Sequence, residues 1–274
     1  MPSDPDSHAA RIRERFTRTA EQFARFSLAE RSAEANQLLA LSLPHLSAPE
    51  KARYLDVACG PGTFTLVFAP RMGRTAGLDF TPALLAQACA AASRASAILS
   101  LVCGDATALP YPACCFELAT CAYGLHHFAQ PPLALREMSR VLAPGGVLAL
   151  VDIVVPDNAA QAAAANAIER ARDSSHTRTL PATEIRELLT AAGFTRLASE
   201  PGERPRSFDD WMQIAGHRRG DPAYVATRRL MEAAIPGDAA GFRARLSAAH
   251  SPDSIPDIEW VQTSFFFVAR CGIR

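Results

Sequence analysis

The chain has 274 residues, 49% of them hydrophobic, with 28 basic side chains against 28 acidic ones. That length favours one core with insertions over two domains, and the even charge leaves no basic footprint for nucleic acid or an anionic membrane surface. No apolar run approaches the roughly 18 residues of a membrane span, and MPSDPDSHAARIRERF lacks a signal-peptide stretch, so a cytoplasmic location is expected.

Residues 1–10 are polar and are expected to be disordered. Ile12, Phe16, Phe23 and Phe26 then recur at helical spacing, and a second helical segment reaches about Leu43. Residues 1–45 therefore read as an N-terminal helical cap and residues 46–274 as the core. The core opens with RYLDVACGPGTFTLVF, Arg53 to Phe68, a strand entering a turn at Gly60 and Gly62 and then a helix start. Such a unit sets a nucleoside cofactor against a helix N-terminus, and the glycines let the backbone approach it. A dinucleotide fingerprint wants Gly or Ala where this chain has Thr65. Asp56, at the strand end, would repel a pyrophosphate but suits a ligand carrying an ammonium and a sulfonium, which is S-adenosylmethionine.

Downstream, TAGLDF (Thr75 to Phe80) is a second strand ending in Asp79, at the distance where an acid accepts hydrogen bonds from both ribose hydroxyls. A helix start at Thr81-Pro82 gives Asp79 a second possible role beside that N-terminus. Ile98 to Cys103 is a third strand, closed by Gly104, Asp105 and Ala106. Phe116 to Ala122 is a fourth, followed by CAYGLHHF. A helix and the turn Pro144-Gly145-Gly146 lead into a fifth, Val147 to Val151, so a parallel doubly wound α/β sheet is predicted.

Asp56-x-Ala58-x-Gly60-x-Gly62 resembles motif I of the class I S-adenosylmethionine-dependent methyltransferases, with Ala58 where that motif usually has glycine. With LREMSRVLAPGG at Leu135 to Gly146, the order of motifs across residues 53–152 is similar to the small-molecule branch around the ubiquinone and menaquinone methyltransferases. The resemblance implies a Rossmann-like seven-stranded sheet whose last strand is antiparallel. It implies cofactor contacts from Asp56, Ala58, Gly60, Gly62, Asp79, Phe80, Gly104, Asp105, Ala106, Cys121 and His126, with Asp105 at the adenine amino group and the N–H of Ala106 at a ring nitrogen.

Beyond strand five, Asp157 to Arg172 is an Ala-rich helical insertion, and Pro181 to Ala192 is an amphipathic helix stopped by Gly193. Phe194 to Ser199 reads as strand six, residues 204–250 as two or three cap helices, and Ile258 to Arg270 as the antiparallel strand between five and six. Cap insertions are placed at 156–180 and 204–255. Seven cysteines, an odd number, read as reduced thiols; Cys114-Cys115 is too tight for zinc and lacks a second pair, so no metal is expected.

The acceptor should sit beyond strands four and five. Some family members pair a histidine in an LHHF-like motif with an acid at the Asp152 position, which makes His126 a candidate base oriented by Asp152. The alternative is that His126 only lines the cofactor pocket. Tyr123, His127, His176, Arg178 and Trp211 are candidate acceptor contacts. No (D/N/S)PP(Y/F/W) element follows strand four, as base methylation would want, and no acid pair suits a catechol-type Mg²⁺ site. The expectation is methyl transfer to a small, partly apolar molecule, with O-methylation favoured. C- or N-methylation without a base, a cofactor-binding protein that transfers no methyl, and an NAD(P)-dependent oxidoreductase are the alternatives.

Overall fold

Tyr54, Leu55, Asp56 and Val57 of β1 (Arg53–Val57) are all buried, so this strand needs a neighbour on each side and a helical layer on each face. In the computed structural model, which describes residues 5–248 and 255–272, the neighbours are β2 (Arg74–Asp79) and β4 (Phe116–Ala122), both parallel to it. The sheet continues through β3 (Ser100–Cys103), β5 (Leu142–Ile153), β6 (Phe194–Ser207) and β8 (Ile258–Cys271) in the order β3-β2-β1-β4-β5-β8-β6. β8 runs antiparallel to both β5 and β6, as expected, and a two-residue β7 (Arg245–Leu246) pairs with it as an eighth strand.

Leu55 and Val57 face one apolar layer with Leu135, Met138 and Leu148, under α4 (Pro131–Val141) and α6 (Ala182–Ala191). Tyr54 faces the other with Leu38, Phe68 and Val151, under α1 (Pro5–Ser42) and α2 (Thr63–Phe68). α3 (Pro82–Arg94) flanks β2, and Leu84 packs with Phe16 of α1. The cap has its own core, in which Phe208, Trp211 and Met212 of α7 (Phe208–Ile214) meet Ile168 of α5 (Ala159–Arg172), Met231 of α8 (Pro222–Ala234) and Trp260.

Three elements depart from the sequence reading. From Pro5 to Ser42 the N-terminal region is one 38-residue helix, not a disordered start and two segments; residues 1–4 of the expected disordered start lie outside the described residues. Its polar beginning is tied down by tertiary contacts: His8 Nε2 lies 2.8 Å from the carbonyl of His127, and Arg15 Nε donates to Asp173 at 2.6 Å. β6 runs on to Ser207 because EPGERPRS, unstrandlike by hydropathy, pairs with residues 259–266 of β8; its two prolines are tolerated on an edge strand. β3 begins only at Ser100, leaving Ile98 exposed. Of the predicted cap insertion, residues 249–254 lie outside the described residues.

Candidate active site

The turn after β1 and the ends of β2, β3 and β4 enclose a cavity of about 220 Å³ roofed by α1. Its floor is carboxylate-rich. Asp56 is buried, with Oδ1 accepting from Thr120 Oγ1 and Oδ2 from Thr65 Oγ1, each at 2.6 Å. Burial raises its pKa to about 6 despite these hydroxyls, with nearby Asp79 adding to the rise. Asp79 accepts the N–H of Gly60 on Oδ2 and that of Thr81 on Oδ1, both at 2.8 Å, and burial raises its pKa as well. Asp105 uses one oxygen, Oδ1, for both the N–H and the hydroxyl of Thr107.

Backbone geometry explains the residue types in the turn. Ala58 has φ +58°, the left-handed region where a Cβ is strained, which accounts for the glycine usual at that position. Gly62, at φ +85°, begins α2; a Cβ there would come within 3.2 Å of Ala88 Cβ. Gly124 holds the turn after β4 against this loop, since a Cβ on it would meet Ala58 Cβ at 2.9 Å.

Beside this cavity lies a smaller one, about 50 Å³, walled by side chains from α1, α5, β6, β8 and the turns after β4 and α5. Parallel pairing explains how its two central groups meet. Ala122 lies opposite Val151, so Asp152 emerges beside the turn that carries His126. His126 Nδ1 lies 2.5 Å from Asp152 Oδ1, and the His126 backbone N–H donates to Asp152 Oδ2 at 3.2 Å. Asp152 Oδ1 also accepts the N–H of Ile153 at 2.7 Å, which fixes the carboxylate. A carboxylate at Nδ1 makes that nitrogen the donor and leaves Nε2 as the basic one.

Two more imidazoles surround His126, His127 at 4.2 Å and His176 at 4.6 Å between ring centroids. Burial, reinforced by the neighbouring imidazoles, drives both pKa values well below the usual 6.5, so both are neutral near pH 7. His127 Nδ1 sits 3.1 Å from the carbonyl of Ser175. One ring nitrogen from each of the three histidines lies within 4.8 Å of the other two, a grouping that could hold a metal ion. A wall of charged groups completes the chamber: Glu169 and Arg172 on α5, Asp173 just after it, Arg15 and Arg31 on α1, and Arg206 on β6. Arg31 stands 3.4 Å from the centre of the Tyr123 ring and lines both cavities, as do Phe16, Phe23 and His127.

Most of the site residues named from sequence fall on these two cavities. Asp56, Ala58, Gly60, Asp79, Phe80, Gly104, Asp105, Ala106, Tyr123 and His127 line the first; His126 and His176 line the second. Gly62 and Cys121 line neither: one begins a helix, the other is core. Arg178 lies on the surface, paired with Glu184, and Trp211 is cap core, 4.8 Å from Trp260. Missed altogether were Arg31, Glu169, Arg172, Asp173 and Arg206. One signal was present: Glu169, Arg172, Asp173 and His176 recur at helical spacing in a segment otherwise rich in alanine.

Residues 55–150 match the family model described as a methyltransferase domain. The chain thus carries a methyltransferase domain over these residues. The chain is 30% identical over 165 residues to the uncharacterized methyltransferase YcgJ of Bacillus subtilis, covering 60% of this chain and 65% of that protein. It is 39% identical over 123 residues to the 2-phytyl-1,4-naphtoquinone methyltransferase of Thermosynechococcus vestitus, covering 44% of this chain and 54% of that one. The matches thus span between about half and just under two thirds of these relatives' lengths. The crystal structure of YcgJ superposes with a TM-score of 0.78 at 23% identity, over 87% of this chain and all of that one.

S-adenosylmethionine is the cofactor of this domain family, and the first cavity has the chemistry to hold it. Each oxygen of Asp79 and of Asp56 has one hydrogen bond from the protein and therefore a lone pair to spare. Asp105 Oδ2 takes no hydrogen bond among the described residues, which leaves it open to an amino group.

Proposed function

We propose that this chain transfers the methyl group of S-adenosylmethionine to a hydroxyl oxygen of a small, quinone-like molecule, with His126 as general base and Asp152 as its orienting partner. The observation that carries the reading is the 2.5 Å contact between His126 Nδ1 and Asp152 Oδ1, in the wall of a chamber that adjoins the cofactor cavity. The relative named for a naphthoquinone substrate supports a ring-shaped acceptor.

When bound, the cofactor supplies an electrophilic methyl group on a sulfonium, open to in-line displacement. Asp79 would hold the ribose hydroxyls, Asp105 the adenine amino group, and Asp56 the ammonium of the methionyl end. In the adjoining chamber Nε2 of His126 takes the hydroxyl proton as the oxygen becomes nucleophilic. Asp152 stabilises the resulting imidazolium and, held by the N–H groups of His126 and Ile153, keeps the ring from turning. His127 and His176 stay neutral, so the new positive charge sits on one ring only. α1 closes the first cavity and excludes water from the transfer.

The test is the position of the transferred carbon. The protein is incubated with ¹³C-methyl-labelled cofactor and 2-methyl-1,4-hydroquinone, and the product is read by NMR. A methyl ether is expected; a label on a ring carbon would sink O-methylation, and no transfer to any member of a phenol panel would sink the reading as a whole.

A further inference from the structure

Of the eight buried side-chain atoms without a hydrogen-bond partner among the described residues, three line the small chamber: Glu169 Oε2, His176 Nδ1 and Arg206 Nε. Glu169 Oε2 and His176 Nδ1 lie 3.5 Å from each other; Arg206 Nε has no such counterpart, and a buried donor left unpaired points to a polar occupant at its end of the cavity. The donors cluster at the α1–β6 end. The side chain of Arg206 is 8% exposed, and its nearest carboxylate oxygen, Glu30 Oε2, is 4.0 Å away. Arg31 donates no hydrogen bond among the described residues; it and Arg206 lie 5.5 and 5.2 Å from the ring of Phe26. Glu30 and Glu34 both pair with Arg204, at 3.4 and 2.9 Å, and Asp152, which also bears on Arg31, is held by His126. Neither Arg31 nor Arg206 therefore has a carboxylate within hydrogen-bonding distance among the described residues. Burial and the mutual repulsion of these arginines hold Arg206 down to about 10, still charged at neutral pH.

The volume limits the occupant too. About 50 Å³ holds the equivalent of roughly three or four waters, too little for a long apolar tail.

We infer that the acceptor is a compact hydroxylated carboxylate: its anion lies on Arg206 and Arg31 while its hydroxyl meets His126. This rests on the methyl-transfer reading above and narrows it from a quinone-like ring to one bearing an acid, and away from a tailed lipid quinone. Arg206 is the specificity-determining residue; Arg31, which also lines the cofactor cavity, assists.

Calorimetric titration of the protein saturated with S-adenosylhomocysteine tests this with two probes, 2,5-dihydroxybenzoate and its uncharged carboxamide. The acid is expected to bind at least tenfold more tightly than the amide, as a charge-assisted contact should. Arg206→Met should abolish that preference by weakening the acid about tenfold or more while changing the amide less than about twofold, and Arg206→Lys should keep part of it. Equal binding of acid and amide by the native protein would overturn the inference, as would no binding of either at millimolar concentration or an equal loss of both in Arg206→Met. Affinity for S-adenosylhomocysteine, measured on the same samples, separates the outcomes: its absence in the native protein undermines the methyl-transfer reading, whereas its persistence with an indifferent acid undermines only this one.

Discussion

The two cavities are built on different principles. The cofactor cavity is made by backbone: strand ends, turns at positive φ, and carboxylates anchored by main-chain N–H groups or by hydroxyls from the same sheet. The smaller chamber, proposed above for the acceptor, is made by side chains from elements as far apart as Arg15 and Gln262. The floor of the first therefore comes from consecutive strand–turn units of the sheet, with α1 added as its roof. The second can be re-lined without disturbing the fold, which is how one scaffold serves many acceptors.

If the division holds, changes on the two sides should separate cleanly. The largest effect is expected at Asp152→Asn, where loss of the orienting charge should lower turnover about 10²–10⁴-fold with cofactor affinity within about twofold; steady-state rates with parallel titration check this. Next comes Asp79→Ala, on the other side. Removing a carboxylate that binds a diol should cost about 1.5–3 kcal/mol of affinity for S-adenosylhomocysteine, visible by calorimetry, whereas an unchanged affinity would remove Asp79 from the ribose.

A third expectation concerns pH. The pKa of Asp56 is raised to about 6, so in the free protein it is largely neutral below that value. A ligand bearing an ammonium favours the carboxylate, so affinity should fall as pH drops through 6, by at most about tenfold per unit. The same shift acts on folding in the opposite sense. Because the folded pKa lies above the unfolded one, Asp56 favours the native state least above pH 6, and its relative contribution grows as pH falls from 6 toward 4. Titrations from pH 5 to 7.5, with thermal melts alongside, separate the two. The smallest effect is expected at Ala58→Gly, which relieves a left-handed alanine and should stabilise the fold by about 0.5–1 kcal/mol. Denaturant unfolding measures it, and a loss of stability would show that the Ala58 methyl packs productively against the Gly124 turn.

The same division explains what the sequence disclosed. Asp56, Gly60, Asp79 and Asp105 were legible because a strand end, a turn and the next helix follow one another directly in the chain. The strand β8 was legible from its apolar FFFVA run, Phe265 to Ala269, and its antiparallel insertion from the family resemblance. Arg31 was not, because nothing within α1 marks one arginine among several as the one folded over Tyr123. Arg206 sits in a stretch whose prolines and charges hide a strand. His176 lies in a loop, yet Arg15, reaching across from α1 to Asp173, seals that loop inward. Arg178, two residues on, escapes the same packing and pairs with Glu184 in solvent.

The central claim is that His126 and Asp152 act as one proton-transferring unit, distinct from the cofactor cavity. Turnover and cofactor affinity measured on His126→Ala, Asp152→Asn and the double variant test it directly. The account predicts that each single change depresses turnover by about 10²–10⁴, that the double variant is little worse than the poorer single one, and that affinity for S-adenosylhomocysteine barely moves. Losses that multiply in the double variant, or a His126→Ala protein that binds cofactor weakly yet turns over normally at saturation, would contradict it.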